Sequence, residues 1–190
     1  MKCDHAGLRY IPNQIPFDVD SLSLQGNDFV VVEQNIFASV KGLKVLELSR
    51  SRIETVSKAS FRGLDELEHL DLNLNSFTGI GEEKIEEFNE NYNMENTIPF
   101  DTFSAMTKLN KLALGFNKIS FIGKSSFFGL DSVHILNLEY NLLTDLLGMF
   151  KDNSISRSEQ KTHLSRTLFQ PISEAHFYNR RLGRNESWNN

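Results

Sequence analysis

Apolar residues recur along this chain with a period of 24 residues. Between Leu109 and Ser132 the sequence LNKLALGFNKISFIGKSSFFGLDS places Leu109, Leu112, Leu114, Ile119, Ile122, Phe127 and Leu130 at fixed spacings, with Asn117 as one polar position among them. The same frame fits a unit from Val19 to Gly42, through Leu22, Leu24, Asn27, Phe29, Val32, Phe37 and Val40. It fits another from Leu43 to Glu66, through Leu46, Leu48, Ile53, Val56, Phe61 and Leu64, with Ser51 where the asparagine belongs. A third unit opens at Leu67 with Leu70, Leu72, Asn75 and Phe77 and closes with Ile98, Phe103 and Met106. It is 42 residues long, 18 more than its neighbours, and the excess lies at about 81–97. A fifth unit begins at Val133 with Leu136, Leu138, Asn141, Leu143 and Leu146, and from Leu147 onward the period is lost.

Within each unit the alternation at Leu112 and Leu114, with Lys111, Ala113 and Gly115 between and beside them, is the period of two that marks a strand. The outward positions of such strands, among them Ser23, Ser49, Ala113 and Gly115, are expected to be exposed. The asparagine falls where strand turns into loop, and its amide can donate to and accept from backbone there. Serine at position 51 can do only part of this. Phe37, Phe61, Phe103 and Phe127 share one position and are expected to stack in a row. A single unit cannot bury its own apolar face, so units must stack, and about three or more are needed. The predicted fold is therefore α/β: a short right-handed solenoid with a parallel β-sheet on the concave face and loops or brief helical turns opposite.

The frame L-x-x-L-x-L-x-x-N-x-L-x-x-I-x-x-x-x-F-x-x-L resembles the 24-residue leucine-rich repeat of extracellular proteins. Ahead of it, Cys3, Leu8 and the run Ile11-Pro12-Asn13-Gln14-Ile15-Pro16 are similar to the second half of that family's amino-terminal cap. The family cap carries four cysteines and only the last is present here, so the chain is expected to begin inside the cap of a longer protein. The organisation that follows is a partial cap at 1–18, five repeats at 19–146 with the insertion at about 81–97, and a basic, partly disordered tail at 147–190 without repeats. Thr162 to Leu182 is expected to be partly helical or disordered.

The resemblance implies a non-catalytic module that binds a protein on the concave face, as part of a receptor or adhesion protein similar to the Toll-like receptors. The alternative it leaves is a secreted structural or matrix protein like the small leucine-rich proteoglycans. On the face so implied, the candidate contact residues are Glu47, Arg50, His69, Asp71, Asn73, Lys111, Phe116, Asn137, Glu139 and Tyr140. The insertion is strongly acidic, with six glutamates against Lys84. Ile85, Phe88 and Tyr92 recur there at helical spacing, and a binding patch is expected where it meets His69 and Asp71. The tail carries seven Lys or Arg against four acids.

Composition narrows the function further. A net charge of −5 points away from nucleic acid, and no run reaches the ~18 apolar residues of a membrane span. One cysteine, Cys3, excludes an internal disulfide and multi-cysteine metal sites. No EF-hand spacing, HExxH or nucleophile elbow occurs, and Gly123-Lys124-Ser125 lacks the first glycine of a phosphate-binding loop because residue 118 is lysine. No cofactor, metal or catalytic residue is expected. Asn185-Glu186-Ser187 is a glycosylation acceptor triplet for a secreted chain. The expected location is extracellular or on the cell surface, within a longer protein; a natural start at Met1 would instead favour the cytoplasm. Oligomeric state leaves no mark in the sequence.

Overall fold

Each L-x-L pair directs two leucines to one side of an extended segment, and stacking these segments gives them a shared interior. The computed structural model of the protein describes residues 1–57, 59–80, 97–99, 102–123, 126–143 and 161–163, with backbone alone at Thr97 and at 161–163. In chain order the strands are β1 (Ser21–Ser23), β2 (Val31–Val32), β3 (Val45–Glu47), β4 (Thr55–Val56), β5 (His69–Asp71), β6 (Gly79–Ile80), β7 (Thr97–Ile98), β8 (Lys111–Ala113), β9 (Phe121–Ile122), β10 (Ile135–Asn137) and β11 (Lys161–His163). Among the described residues there is no helix. The side opposite the main sheet is built from turns and two-residue strands.

The main sheet is parallel throughout, in the order β1-β3-β5-β8-β10-β11. Its register is one repeat per strand: Leu22, Leu46, Leu70, Leu112 and Leu136 lie side by side, and all five are buried. The other repeat positions behave alike, giving one continuous apolar core from Ile11 to Leu143. Phe37 stacks on Phe61 with centroids 6.0 Å apart, and Phe103 on Phe127 at 6.3 Å. The expected aromatic row is thus two pairs, and no stack joins Phe61 to Phe103 among the described residues.

The first strand of a parallel stack leaves backbone groups unpaired on its outer edge. Here the chain's own beginning covers them: Lys2 bridges Ser23 in parallel, and the Cys3 and His5 amides donate to the Ser23 and Gln25 carbonyls at 2.8 Å. His5 places its ring over Gly26, where a Cβ would lie 2.2 Å from it. At the other end β11 pairs with β10, setting Leu136 beside Thr162. Thr162 and His163 are thus strand, while the rest of the stretch to Leu182, expected to be partly helical or disordered, lies outside the described residues. Pairing through backbone needs no leucine, and an exposed sheet edge accepts any extended segment.

Repeat three holds the other departure. Its extra 18 residues are inserted in the second ladder: β6, before them, pairs with β7 in register Ile80 to Ile98, and β7 lies against β4. On its other side β6 pairs with β9. The five-residue step from Ile98 to Phe103 matches that from Val56 to Phe61, so Ile98 continues the repeat and Ile80 is an added pass. Both are fully buried. The predicted helix around Ile85, Phe88 and Tyr92, the insertion's acids and the tail beyond residue 163 lie outside the described residues.

Candidate binding face

Strand register sorts the outward residues of the main sheet into rows. The first holds Ser21, Val45, His69, Lys111 and Ile135, and the second Ser23, Glu47, Asp71, Ala113 and Asn137. Two residues further along each chain come Gln25, Ser49, Asn73, Gly115 and Glu139, and then an edge row of Gly26, Arg50, Leu74, Phe116 and Tyr140.

The edge row borders a line of buried polar side chains, Asn27, Ser51, Asn75, Asn117 and Asn141. Asn75 donates its Nδ2 to the Leu48 and Leu72 carbonyls at 3.0 and 3.1 Å, and its Oδ1 accepts the Ser51 and Ile53 amides at 3.1 and 2.9 Å. Asn27, Asn117 and Asn141 repeat the arrangement. The residue before each asparagine turns through the left-handed region, with φ of 66° at Gly26, 56° at Leu74, 54° at Phe116 and 55° at Tyr140, and Arg50, before Ser51, does the same at 57°. Ser51 replaces only half of these bonds. Its Oγ lies 3.2 Å from the Leu24 carbonyl and accepts the Asn27 amide at 3.4 Å.

Several outward residues do internal work. Asp71 accepts the Asn73 amide at 3.0 Å, Asn73 the Gly115 amide at 2.6 Å, and Asn137 the Glu139 amide at 2.8 Å. Gln25 donates to Glu47 at 2.9 Å and lies 3.2 Å from both Ser23 and Ser49. Ser23, Ser49, Ala113 and Gly115 are consequently buried although they stand on the outward rows, because longer neighbours close over them. This corrects the exposure that strand alternation predicts, since alternation does not reveal how long the adjacent side chains are.

Candidates that present a surface are Arg50 and Phe116, both exposed, and the half-buried Glu47, His69, Asp71, Asn73, Lys111, Asn137, Glu139 and Tyr140. Phe116 and Tyr140 stack with centroids 4.1 Å apart and planes 17° from parallel. At the centre, burial lowers the His69 pKa below its ordinary 6.5, the Lys111 charge lowers it further, and Asp71 and Glu47 oppose them. His69 is thus held neutral at physiological pH. Among the described residues no group of His, Cys, Asp and Glu is arranged to hold a metal, and the ion pairs, Arg52 to Asp28 and Lys108 to Glu66, lie off these rows.

Leu74, 40% exposed, joins Phe116 and Tyr140 on the edge and is absent from the sequence-based candidates; its position before the asparagine is the signal that could have found it. The insertion's two ends, Ile80 and Thr97, belong to the second ladder, which is separate from the main sheet; the residues between them, expected to meet His69 and Asp71, lie outside the described residues. Asn185 lies outside the described residues. No helix among them is long and apolar enough to cross a membrane.

Comparison with known proteins adds independent findings. The family profile described as leucine rich repeat matches residues 18–77 and 93–158. Osteomodulin of Mus musculus is 31% identical over 87% of this chain and 34% of its own length. Keratocan of Gallus gallus is 27% identical over 73% of this chain and 41% of its own. Among solved structures, the complex of TLR13 with ssRNA13 superposes with a TM-score of 0.55 at 25% identity, covering 78% of this chain and 19% of that one. An internalin of Listeria monocytogenes does so with a TM-score of 0.50 at 17% identity, over 82% of this chain and 36% of the other, which speaks to fold alone. The chain thus spans about a third of the length of osteomodulin.

Proposed function

Since the chain belongs to the leucine-rich repeat family, we propose that it is a non-catalytic recognition module whose main sheet binds a protein partner. The observation that carries this is the face itself: charged and amide side chains sit in register on short parallel strands, with the stacked Phe116 and Tyr140 on the edge beside them, a mixture suited to protein contact. His69 and Asp71 stand near one another on one strand, but alternation places them there, and among the described residues no cluster of His, Cys, Asp and Glu that could hold a metal accompanies them. The resemblance of Cys3 to Pro16 to a family cap and the likeness to osteomodulin and keratocan support an extracellular or cell-surface placement.

A protein fits better than nucleic acid. The TLR13 structure is of an RNA complex, yet among the described side chains of this face Glu47, Asp71 and Glu139 outnumber Arg50 and Lys111, so phosphates would meet more acid than base there. A matrix role, rather than that of a receptor or adhesion protein, is the second reading, favoured by the same relatives. Binding to an array of extracellular protein domains tests the face. Glu47→Lys, Asp71→Lys and Glu139→Lys together are expected to abolish binding while circular dichroism stays unchanged, and retained affinity in the folded variant would defeat the reading.

A further inference from the structure

The turns that follow the strands of repeats two to four carry side chains that the backbone does not call for. Arg50, Leu74 and Phe116 stand at φ of 57°, 56° and 54°, where repeat one has Gly26 at 66°. A left-handed turn suits glycine better than any residue with a Cβ. All three side chains are exposed, so core packing does not explain their presence. Large groups held in solvent at a costly backbone position point to contact with another molecule.

Charge identifies what would sit there. Two residues further along each chain lies an outer row of Arg52, Ser76 and Lys118, so the apolar Leu74 and Phe116 have cations at both ends. Arg52 is paired with Asp28 at 3.0 Å. The Arg50 guanidinium and the Lys118 ammonium hold no ion pair or hydrogen bond among the described residues. The bordering acids, Glu47, Glu54 and Asp71, pair with neither. We propose that this edge binds a segment of the protein partner that presents a carboxylate to Arg50 and an apolar side chain to Leu74 and Phe116. The planar guanidinium can donate two parallel hydrogen bonds to a carboxylate. Strands about 4.8 Å apart put Leu74 and Phe116 within reach of the residue two further on in an extended segment, where same-side positions lie about 7 Å apart. The inference rests on the main-sheet reading above and adds the chemistry that the edge selects.

Titrating the isotope-labelled chain with acetyl-Glu-Ser-Leu amide and with acetyl-Gln-Ser-Leu amide, followed by NMR, tests the proposal. The glutamate peptide is expected to shift the Arg50 Nε–H and Leu74 methyl signals saturably, with about threefold higher affinity than the glutamine peptide. Arg50→Gln is expected to erase that preference. Leu74→Gly, which the left-handed turn accommodates, is expected to weaken both peptides and keep it. Equal affinity for the two peptides, a preference that survives Arg50→Gln, or equal shifts at exposed cations elsewhere, such as Lys41 and Arg62, would overturn the proposal. Should the preference be absent while charge reversal of the main-sheet acids still abolishes partner binding, the edge site is wrong and the face reading stands. Should the preference be present while charge reversal leaves partner binding intact, the face reading falls and the edge site stands.

Discussion

Asn75 commits both ends of its amide to four backbone groups on two repeats, so removing it strands several buried partners at once. Asn75→Ala is expected to cost about 3 kcal/mol or more in urea denaturation, since each orphaned buried group costs about 1–3 kcal/mol. The opposite change is available at Ser51, whose Oγ reaches the Asn27 amide only at 3.4 Å. Ser51→Asn, restoring the residue of the other four repeats, is expected to raise stability by about 1 kcal/mol. His69 adds a pH dependence of known sign. Its folded pKa lies below the ordinary 6.5, so the unfolded chain takes up the proton first. Stability is full above about 6.5, falls as pH drops toward the folded pKa, and levels off below it. His69→Gln is expected to flatten that segment of a stability–pH profile, and an unchanged slope would show that the proton goes elsewhere. At this scale the asparagine positions were legible in the sequence because each stands three residues after the second leucine of its L-x-L pair. The burial of Ser23, Ser49, Ala113 and Gly115 was not, since it depends on the reach of side chains from neighbouring repeats.

Repeat three shows what spacing can and cannot say about an element. Its excess length is plain in the sequence, but the sequence does not show that the chain uses that length to run the second-ladder strand twice, as β6 and β7. Ile80 and Ile98 are equivalent in type and both buried, which suggests a direct test. Deleting Gly81 to Ile98 restores a 24-residue unit, with Ile80 taking over the place of Ile98 five residues before phenylalanine. The variant is expected to unfold cooperatively and to keep any main-sheet binding. It loses the burial of one isoleucine, about 1.5–3 kcal/mol, partly offset by a shorter loop to close. A non-cooperative melt would mean that the doubled strand is a structural requirement. β11 was illegible for a different reason: Lys161–His163 joins through main-chain bonds, and a search for apolar periodicity cannot detect a strand with no leucine.

Taken whole, the molecule is a scaffold that places short strands side by side and leaves their outward residues to vary. Six strands of three residues make a face of only about 24 by 10 Å at ordinary sheet spacings, well below the roughly 800 Å² that a standard partner buries. The edge row of Arg50, Leu74, Phe116 and Tyr140 enlarges it on one side, and a chain spanning 34% of the length of osteomodulin is matched to only part of such a face. Fold class was readable from repeat spacing because a 24-residue apolar period admits few other packings; the identity of a partner leaves no comparable period. The most direct measurement is hydroxyl-radical footprinting of the chain with and without a bound protein partner. Protection of His69, Phe116 and Tyr140, with Tyr10, Phe17 and Phe128 oxidised as before, is the predicted result. Protection confined to Tyr10, Phe17 or Phe128, with the main-sheet residues unchanged, would contradict the assignment of recognition to this face.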